Sequence, residues 1–472
     1  MLKRWLIVTS FLLGSLLQAA SAPGPNIVYF LADDLGREDC GFMGGKEIQT
    51  PHLDRLAGEG AVLDAFYVQP VCSPTRAAFL TGRYPMRYGL QVGVVRPFAQ
   101  YGLPLEERTL AEGLREAGYQ TAIVGKWHLG LIRRENLPTR RGFDFQYGHY
   151  NGMLDYFTHR RDGGLDWHRN DRVSHDEGYT THLITREAER FLRGRNPEKP
   201  FFLYIAYNAV HTPLQVPERY TNPYRNLPPR RRAYAGMTAA LDESIGHIVE
   251  TLKDLGVREE TLIIFSSDNG GPQPGRLSDN GNYRAGKGSL YEGGVRVCAL
   301  VSWPGHIPMG ITVKEPVHIV DWYPTLLNLA GVPLAQPLPL DGRDIWPVLT
   351  GGRPIPHREI LINTEPTRGA LRAGDWKLVV NGSGPSNEDF LAAFREKPDS
   401  EKRTLREGWS VELFNLIEDP YERTNLAEAR PEKLAELKKR YNELASQAVR
   451  PKNHAPPLGF ETPTVWGESS TH

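Results

Sequence analysis

Four short apolar runs, each ending in residues of unusual chemistry, constrain the fold of this chain more than any other feature. NIVYFLA runs into Asp33-Asp34, TAIVG into Lys126-Trp127-His128, FFLYIAYNAV into His211, and LIIFSS into Asp268-Asn269-Gly270. Rich in β-branched and aromatic residues, the runs read as strands. Between them lie longer segments such as ERTLAEGLREAG and AGMTAALDESIGHIVETLKDLG, whose apolar residues recur at helical spacing. Such alternation predicts an α/β fold in which βαβ units build a large, mainly parallel sheet flanked by helices. Ligands of open α/β sheets lie beyond the carboxyl ends of the strands. One such ending is usually an unrelated loop acid or base; four together are expected to meet at one site.

The texture changes after about residue 350. GGRPIPHRE is a turn-rich link, followed by strand-like EILINT, ALRAGDWKLVVNG and VELFNL, then by DPYERTNLAEARPEKLAELKKRYNELASQ, which carries helical periodicity and i,i+4 charge pairs. The organisation expected is a leader over residues 1–22, a main domain over 23–350, a smaller α+β subdomain over 351–450 with an antiparallel sheet and a packed helix, and a poorly ordered or surface-bound tail over 451–472.

The leader starts MLKRW, continues through LIVTSFLLGSLL and closes on Ala20-Ser21-Ala22. A positive end, an apolar centre and small residues at the exit mark a secretory signal peptide, so a periplasmic or secreted location is expected. Its apolar core is short of the roughly 20 residues that span a bilayer, and no stable membrane insertion is expected. The formal net charge of zero falls to two negative charges when Lys3 and Arg4 leave with the leader. That balance gives no basic face for nucleic acid. Cys40, Cys72 and Cys298 are odd in number and widely spaced, and do not form a disulfide framework, although a Cys40–Cys298 bridge is open.

Asp33, Asp34, Asp268 and Asn269 offer hard oxygens without sulfur or imidazole, a set that suits Ca²⁺ or Mg²⁺ far better than zinc. Cys72 stands before Pro74, a residue favoured in a first helical turn, and the helix would run through Ala77-Ala78-Phe79-Leu80 to a stop at Gly82. A helix N-terminus favours thiolates and oxyanions, and Arg76 would add a planar cation. Cys72 is therefore either an activated thiol or a precursor of something else, and thiolate chemistry has no evident use for a hard-oxygen metal beside it.

Cys-Ser-Pro-Thr-Arg followed by Ala-Ala-Phe-Leu-Thr-Gly-Arg, Cys72 to Arg83, resembles the signature of the type I sulfatases. In that family the cysteine of Cys-x-Pro-x-Arg is oxidised to formylglycine, whose hydrate is the nucleophile. ADDLG, GKWHLG, the His211-Thr212-Pro213 segment, SDNGG and GKGSLYEGGVR resemble further family blocks in the family's order. LPTRRGFDFQYGHYNGMLDYFTH is most similar to the arylsulfatase B branch, which removes 4-sulfate from N-acetylgalactosamine, and ELFNLIEDPYERTNLA resembles the C-terminal subdomain.

The resemblance implies an alkaline-phosphatase-like fold and one Ca²⁺ per chain, ligated by Asp33, Asp34, Asp268, Asn269 and the formylglycine made from Cys72. It implies that Asp268 accepts the proton of the attacking hydroxyl, that Arg76 stabilises the oxyanion form, and that Lys126 and Lys287 bind sulfate oxygens. His211 would protonate the leaving oxygen, and His128 would bond the second hydroxyl of the diol and take its proton as sulfate is expelled. Asp242 and Asp321 resemble family positions too, but helix capping or structural pairing is the role expected of them. The implied partners are a sulfated oligo- or polysaccharide and, during biosynthesis, a formylglycine-generating or sulfatase-maturating enzyme.

Tyr150, Tyr156, His159, Arg160, Arg161, Trp167 and His168 crowd one segment, either as a sugar-stacking surface or as a cluster of their own. Pro228-Pro229-Arg230-Arg231-Arg232 reads as a solvated helix start. The expected activity is hydrolysis of a sulfate ester on a galactose-type sugar. Two alternatives are a phosphate or phosphonate monoester hydrolase of the same superfamily, and a non-catalytic sulfated-glycan binder should Cys72 stay a thiol.

Overall fold

The apolar runs are uninterrupted because the strands they form are covered on both faces. A computed structural model describes residues 24–468 apart from 274, 335, 352–353, 355–358, 366 and 383–409, so the leader and the last residues of the tail lie outside the described part. Five parallel strands make the centre of a ten-stranded sheet, in the order Thr261–Ser267, Asn26–Ala32, Phe201–Ala206, Gln120–Lys126 and Phe145–His149. Antiparallel pairings extend it at both sides, through Ala299–Ser302 on one and His168–Arg169 on the other.

Ile27, Tyr29 and Leu31 point into one apolar core, shared with the helices Cys72–Thr81, Leu110–Glu116 and Trp322–Leu329. Val28, Phe30 and Ala32 point into the other, shared with Pro51–Gly58, Thr180–Gly194 and Pro229–Asp254. The side-chain period of two in a strand thus supplies both layers from one run. Among the described residues no helix is long and apolar enough to cross a membrane.

The Cys72–Thr81 helix has the expected limits. Val71 is extended, Pro74 lies in the first turn, and Gly82 ends the helix at φ +66° with its N–H on Ala78 O. All ten residues are buried, which leaves the helix N-terminus facing the carboxyl ends of the central strands from inside the protein.

C-terminal to residue 350, Glu359–Glu365, Arg368–Ala373, Trp376–Val380 and Val411–Asn415 form a separate four-stranded antiparallel sheet. The helix packed on it is shorter than the sequence periodicity predicts. It begins at Pro431, and Leu437, Tyr441 and Ala445 form its buried stripe. The stretch before it is folded into turns, with Asp419 accepting from the N–H groups of Arg423 and Thr424. The described part of the tail, residues 451–468, is surface-bound. Lys452 N donates to Gly89 O at 2.7 Å, Val465 bridges Leu165, and the Trp466 ring is only 1% exposed.

The arginines after Pro228 do not form a uniformly solvated start. Arg231 is buried and pairs with Asp39 at 2.7 Å and Glu47 at 2.6 Å, contacts that no local pattern announces. Cys40, Cys72 and Cys298 are all buried and free.

Candidate active site

The four strand endings meet, and the Cys72 helix points at them. Asp33 and Asp34 follow the Asn26–Ala32 strand, and Asp268 and Asn269 follow the neighbouring Thr261–Ser267 strand. Asp268 N donates to Ala32 O at 3.0 Å, and Asp34 N donates to Asp268 Oδ1 at 3.2 Å, which locks the two acidic turns together. Asn269 Nδ2 donates to Asp34 Oδ1 at 2.8 Å, while Asn269 Oδ1 is buried and has no hydrogen-bond partner among the described residues. The SDNGG turn can approach this closely only because Gly270 has no Cβ, which would lie 1.9 Å from Gly293 O.

Cys72 Sγ is 3.6 Å from Asp33 Oδ1. Ligand atoms of Asp33, Asp34, Cys72 and His211 all lie within 4.8 Å of one another. Asp268 and Asn269 adjoin this group through the bonds to Asp34 just described. Three carboxylates, from Asp33, Asp34 and Asp268, thus face three cations. Arg76, one turn along the helix from Cys72, donates to Asp268 Oδ2 at 2.8 Å and to Lys126 O at 3.2 Å. Lys126 donates to Asp33 Oδ2, and Lys287 donates to Asp34 Oδ2 at 2.8 Å. Arg76 and Lys126 have no exposed side chain, whereas Lys287 is 25% exposed.

The electrostatics follow from burial and from these pairs. Burial pushes the Asp34 carboxyl up, but Lys287, through its charge and its hydrogen bond, and the bond from Asn269 outweigh it and hold the group below the usual carboxylate range. Asp268 goes the other way, raised to about 6 by burial and then by Asp33, against Arg76 and Lys126. Burial also pushes the Cys72 thiol well up, so the helix N-terminus does not make it a thiolate, and the activated-thiol reading loses its support.

Both histidines are neutral in this setting. His211 is lowered to about 3 by burial and then by Lys287, and His128 falls well below its ordinary value through burial, Lys126 and Arg76. His211 Nδ1 lies 2.6 Å from Thr212 O, so Nδ1 carries the proton and Nε2, 3.6 Å from Asp34 Oδ2, faces the cluster.

Three supports were absent from the sequence reading. Ser73 Oγ donates to His128 O at 2.8 Å and accepts from Val95 N at 3.0 Å. Gly152 lets the chain pass the His128 ring, where a Cβ would sit 2.4 Å from Cε1. Asp166 accepts from Tyr150 N and Asn151 N and so fixes the turn that His128 leans on. A glycine in HYNG was the one local signal for any of them.

The sugar-stacking surface is not what the aromatics form. Tyr150, Tyr156, His159, Trp167 and His168 are buried, with Tyr150 stacked on His168 and His159 stacked on Trp167. Tyr156 stacks on Tyr179 and donates its hydroxyl to Asn208 O and His211 O, and only Arg160 of the segment's named residues is exposed. Asp242 and Asp321 serve as structural caps. Asp242 accepts from His52 N and Leu53 N at the start of the Pro51–Gly58 helix, and Asp321 accepts from His318 N and Arg343 N.

A family model described as Sulfatase matches residues 25–332. Arylsulfatase J of Mus musculus is 39% identical over 485 residues, spanning 95% of this chain and 81% of that protein. N-acetylgalactosamine-6-sulfatase of Canis lupus familiaris is 34% identical over 454 residues, spanning 90% of this chain and 86% of that protein. The solved structure of Ps i-CgsB in complex with k-i-k-neocarrahexaose superposes with a TM-score of 0.80 at 32% identity, covering 91% of this chain and 94% of the other.

Proposed function

The chain belongs to the sulfatase family and is a sulfuric ester hydrolase, and from that premise we propose that it removes a sulfate ester, 4-O-sulfate on galactose or N-acetylgalactosamine, from a sulfated glycan. The reading includes formylglycine at position 72 and one Ca²⁺. The convergence of the Asp33, Asp34, Cys72 and His211 ligand atoms carries it. The donor chemistry fits a hard divalent cation, since Asp33, Asp34, Asp268 and the orphaned Asn269 Oδ1 are all buried oxygens. When present, the cation would supply Lewis acidity and charge screening, and the hydrated aldehyde a nucleophilic hydroxyl.

The chain's own residues divide the remaining work. Lys126 and Lys287 flank the carboxylates and would bind sulfate oxygens, where a dry site strengthens charge-assisted bonds. Arg76, fixed by Asp268 and Lys126 O, would hold the nucleophile's anionic form. Asp268, with its raised pKa, is suited to take the proton of the attacking hydroxyl.

His211 would return a proton from Nε2 to the leaving alcohol oxygen. An anionic ester placed between Lys287 and His211 offsets the lysine's charge and brings the imidazolium back into range. His128, neutral and carrying an unpartnered buried Nδ1, is in the state to accept a proton in the second half of the reaction.

The neocarrahexaose bound to Ps i-CgsB supports an oligosaccharide substrate, and the N-acetylgalactosamine-6-sulfatase similarity makes position 6 the competitor to position 4. The deciding experiment measures inorganic sulfate released by the matured protein from matched 4- and 6-sulfated N-acetylgalactosamine and galactose oligosaccharides. Preference for the 6-sulfated set overturns the position, and a large preference for aryl phosphate over aryl sulfate overturns the reading as a whole.

A further inference from the structure

Lys287 lies in GKGS, a glycine-rich loop with Gly288 at φ +82°, and such a loop has little stiffness of its own. Its backbone is tied at two points, Lys287 N to Gly271 O at 3.2 Å and Gly288 N to Pro70 O at 2.9 Å. The residues around it are gripped from one side by the C-terminal sheet. Arg284 donates to Glu412 at 2.9 Å and to Glu422 O at 3.3 Å, and Tyr291 donates to Glu412. Glu292 N donates to Glu422 Oε2 at 2.6 Å.

At the centre of this grip is a buried ion cluster. Lys377, inside the Trp376–Val380 strand, places Nζ 2.9 Å from Glu292 Oε1 and 2.8 Å from Glu422 Oε1, and none of the three side chains is exposed. Glu292 also accepts from Tyr67 at 2.6 Å. A lysine fully removed from water is costly unless its partners are held in place. The cluster therefore links the Lys377 strand, the Glu422 turn and the Arg284–Arg296 segment directly.

We propose that Lys377 is a positioning residue for Lys287: through Glu292 and Glu422 it sets where the Lys287 ammonium stands over Asp34. The C-terminal sheet thereby completes the sulfate-binding half of the active site. This rests on the reading of Lys287 as a sulfate-oxygen ligand.

The test is a double-mutant cycle in the matured full-length protein, with 4-nitrophenyl sulfate turnover and inhibition by inorganic sulfate as readouts and circular dichroism as the folding check. Lys377→Met is expected to lower kcat/KM by about tenfold to a hundredfold and to weaken sulfate inhibition, as is Lys287→Ala. In the Lys287→Ala background it should cost almost nothing more.

Should Lys377→Met fail to fold, Glu422→Gln takes its place. It keeps an acceptor for Glu292 N, and a smaller loss with the same non-additivity is expected. A full repeated loss in the Lys287→Ala background, or normal kinetics in a folded Lys377→Met protein, overturns the proposal. If Lys287→Ala alone leaves turnover and sulfate inhibition unchanged, it is the role of Lys287 that falls.

Discussion

Lys287 Nζ stands 2.8 Å from Asp34 Oδ2, across 253 positions of sequence. The contact joins a glycine-rich loop to the end of a central strand. It holds Asp34 ionised against its burial, so one pair keeps a buried hard oxygen charged and places a part-exposed cation beside it.

Cys72→Ala is expected to abolish sulfate release, and Cys72→Ser to lose nearly all of it, because a serine sulfate has no second hydroxyl through which sulfate can be expelled. Peptide mass spectrometry across residue 72 of protein from its native host should find the aldehyde rather than the thiol. A Cys72→Ser protein with near-normal turnover defeats the mechanism.

Chelation followed by dialysis should lower turnover by about a thousandfold or more, the equivalent of several kcal/mol of charge stabilisation, and added Ca²⁺ should restore it. Asp33→Ala should not be rescued, since it removes a ligand and leaves Lys126 buried without its carboxylate. Metal analysis by mass spectrometry checks occupancy separately from activity.

His211→Asn should slow release from a sugar sulfate by about a hundredfold to ten-thousandfold, the range of general acid catalysis. For 4-nitrophenyl sulfate the loss should be far smaller, because nitrophenolate leaves without a proton. Equal losses on the two substrates would assign His211 to binding instead.

Trp466→Ala should destabilise the protein by about 3 kcal/mol, the cost of emptying a buried aromatic site. Its indole Nε1 donates to Arg161 O at 2.8 Å, so the tail and the Arg160–Leu165 hairpin should loosen together. Urea midpoints and limited proteolysis of the tail measure the two effects.

Asp242 is raised to about 7 chiefly by burial, against the hydrogen bonds from Leu53 N and His52 N. A folded pKa above the unfolded one contributes stability that is present below about pH 4 and is lost as pH rises through 7. The folded state binds the extra proton in that window, so the slope approaches about 1.4 kcal/mol per pH unit. Asp242→Asn should flatten the fall in urea midpoint between about pH 4 and pH 7; an unchanged slope assigns the fall to other groups.

Much of the site was legible because a parallel sheet converts chain order into spatial convergence. Asp33, Lys126, His211 and Asp268 each close or follow a central strand, and parallel strands bring those ends to one edge. Cys72 was legible for a second reason, since Pro74 and Gly82 delimit its helix locally. The aromatic segment was not. Tyr150 and Trp167 have the composition of a sugar platform and of a small core alike, and only their ring partners decide which they become: Tyr150 stacks on His168, and Trp167 on His149 and His159.

By itself the sequence determined the layered architecture and the residues that gather at the strand ends, because both rest on periodicity and on local punctuation that a chain carries wherever it folds. Only the tertiary structure decided how the charges balance: Lys287 on Asp34, Arg76 on Asp268, Arg231 on Asp39, and Lys377 between Glu292 and Glu422. A charge leaves water only where its counter-charge is already in reach, and the partners in these pairs come from segments as far apart as 253 positions, which no window of sequence contains.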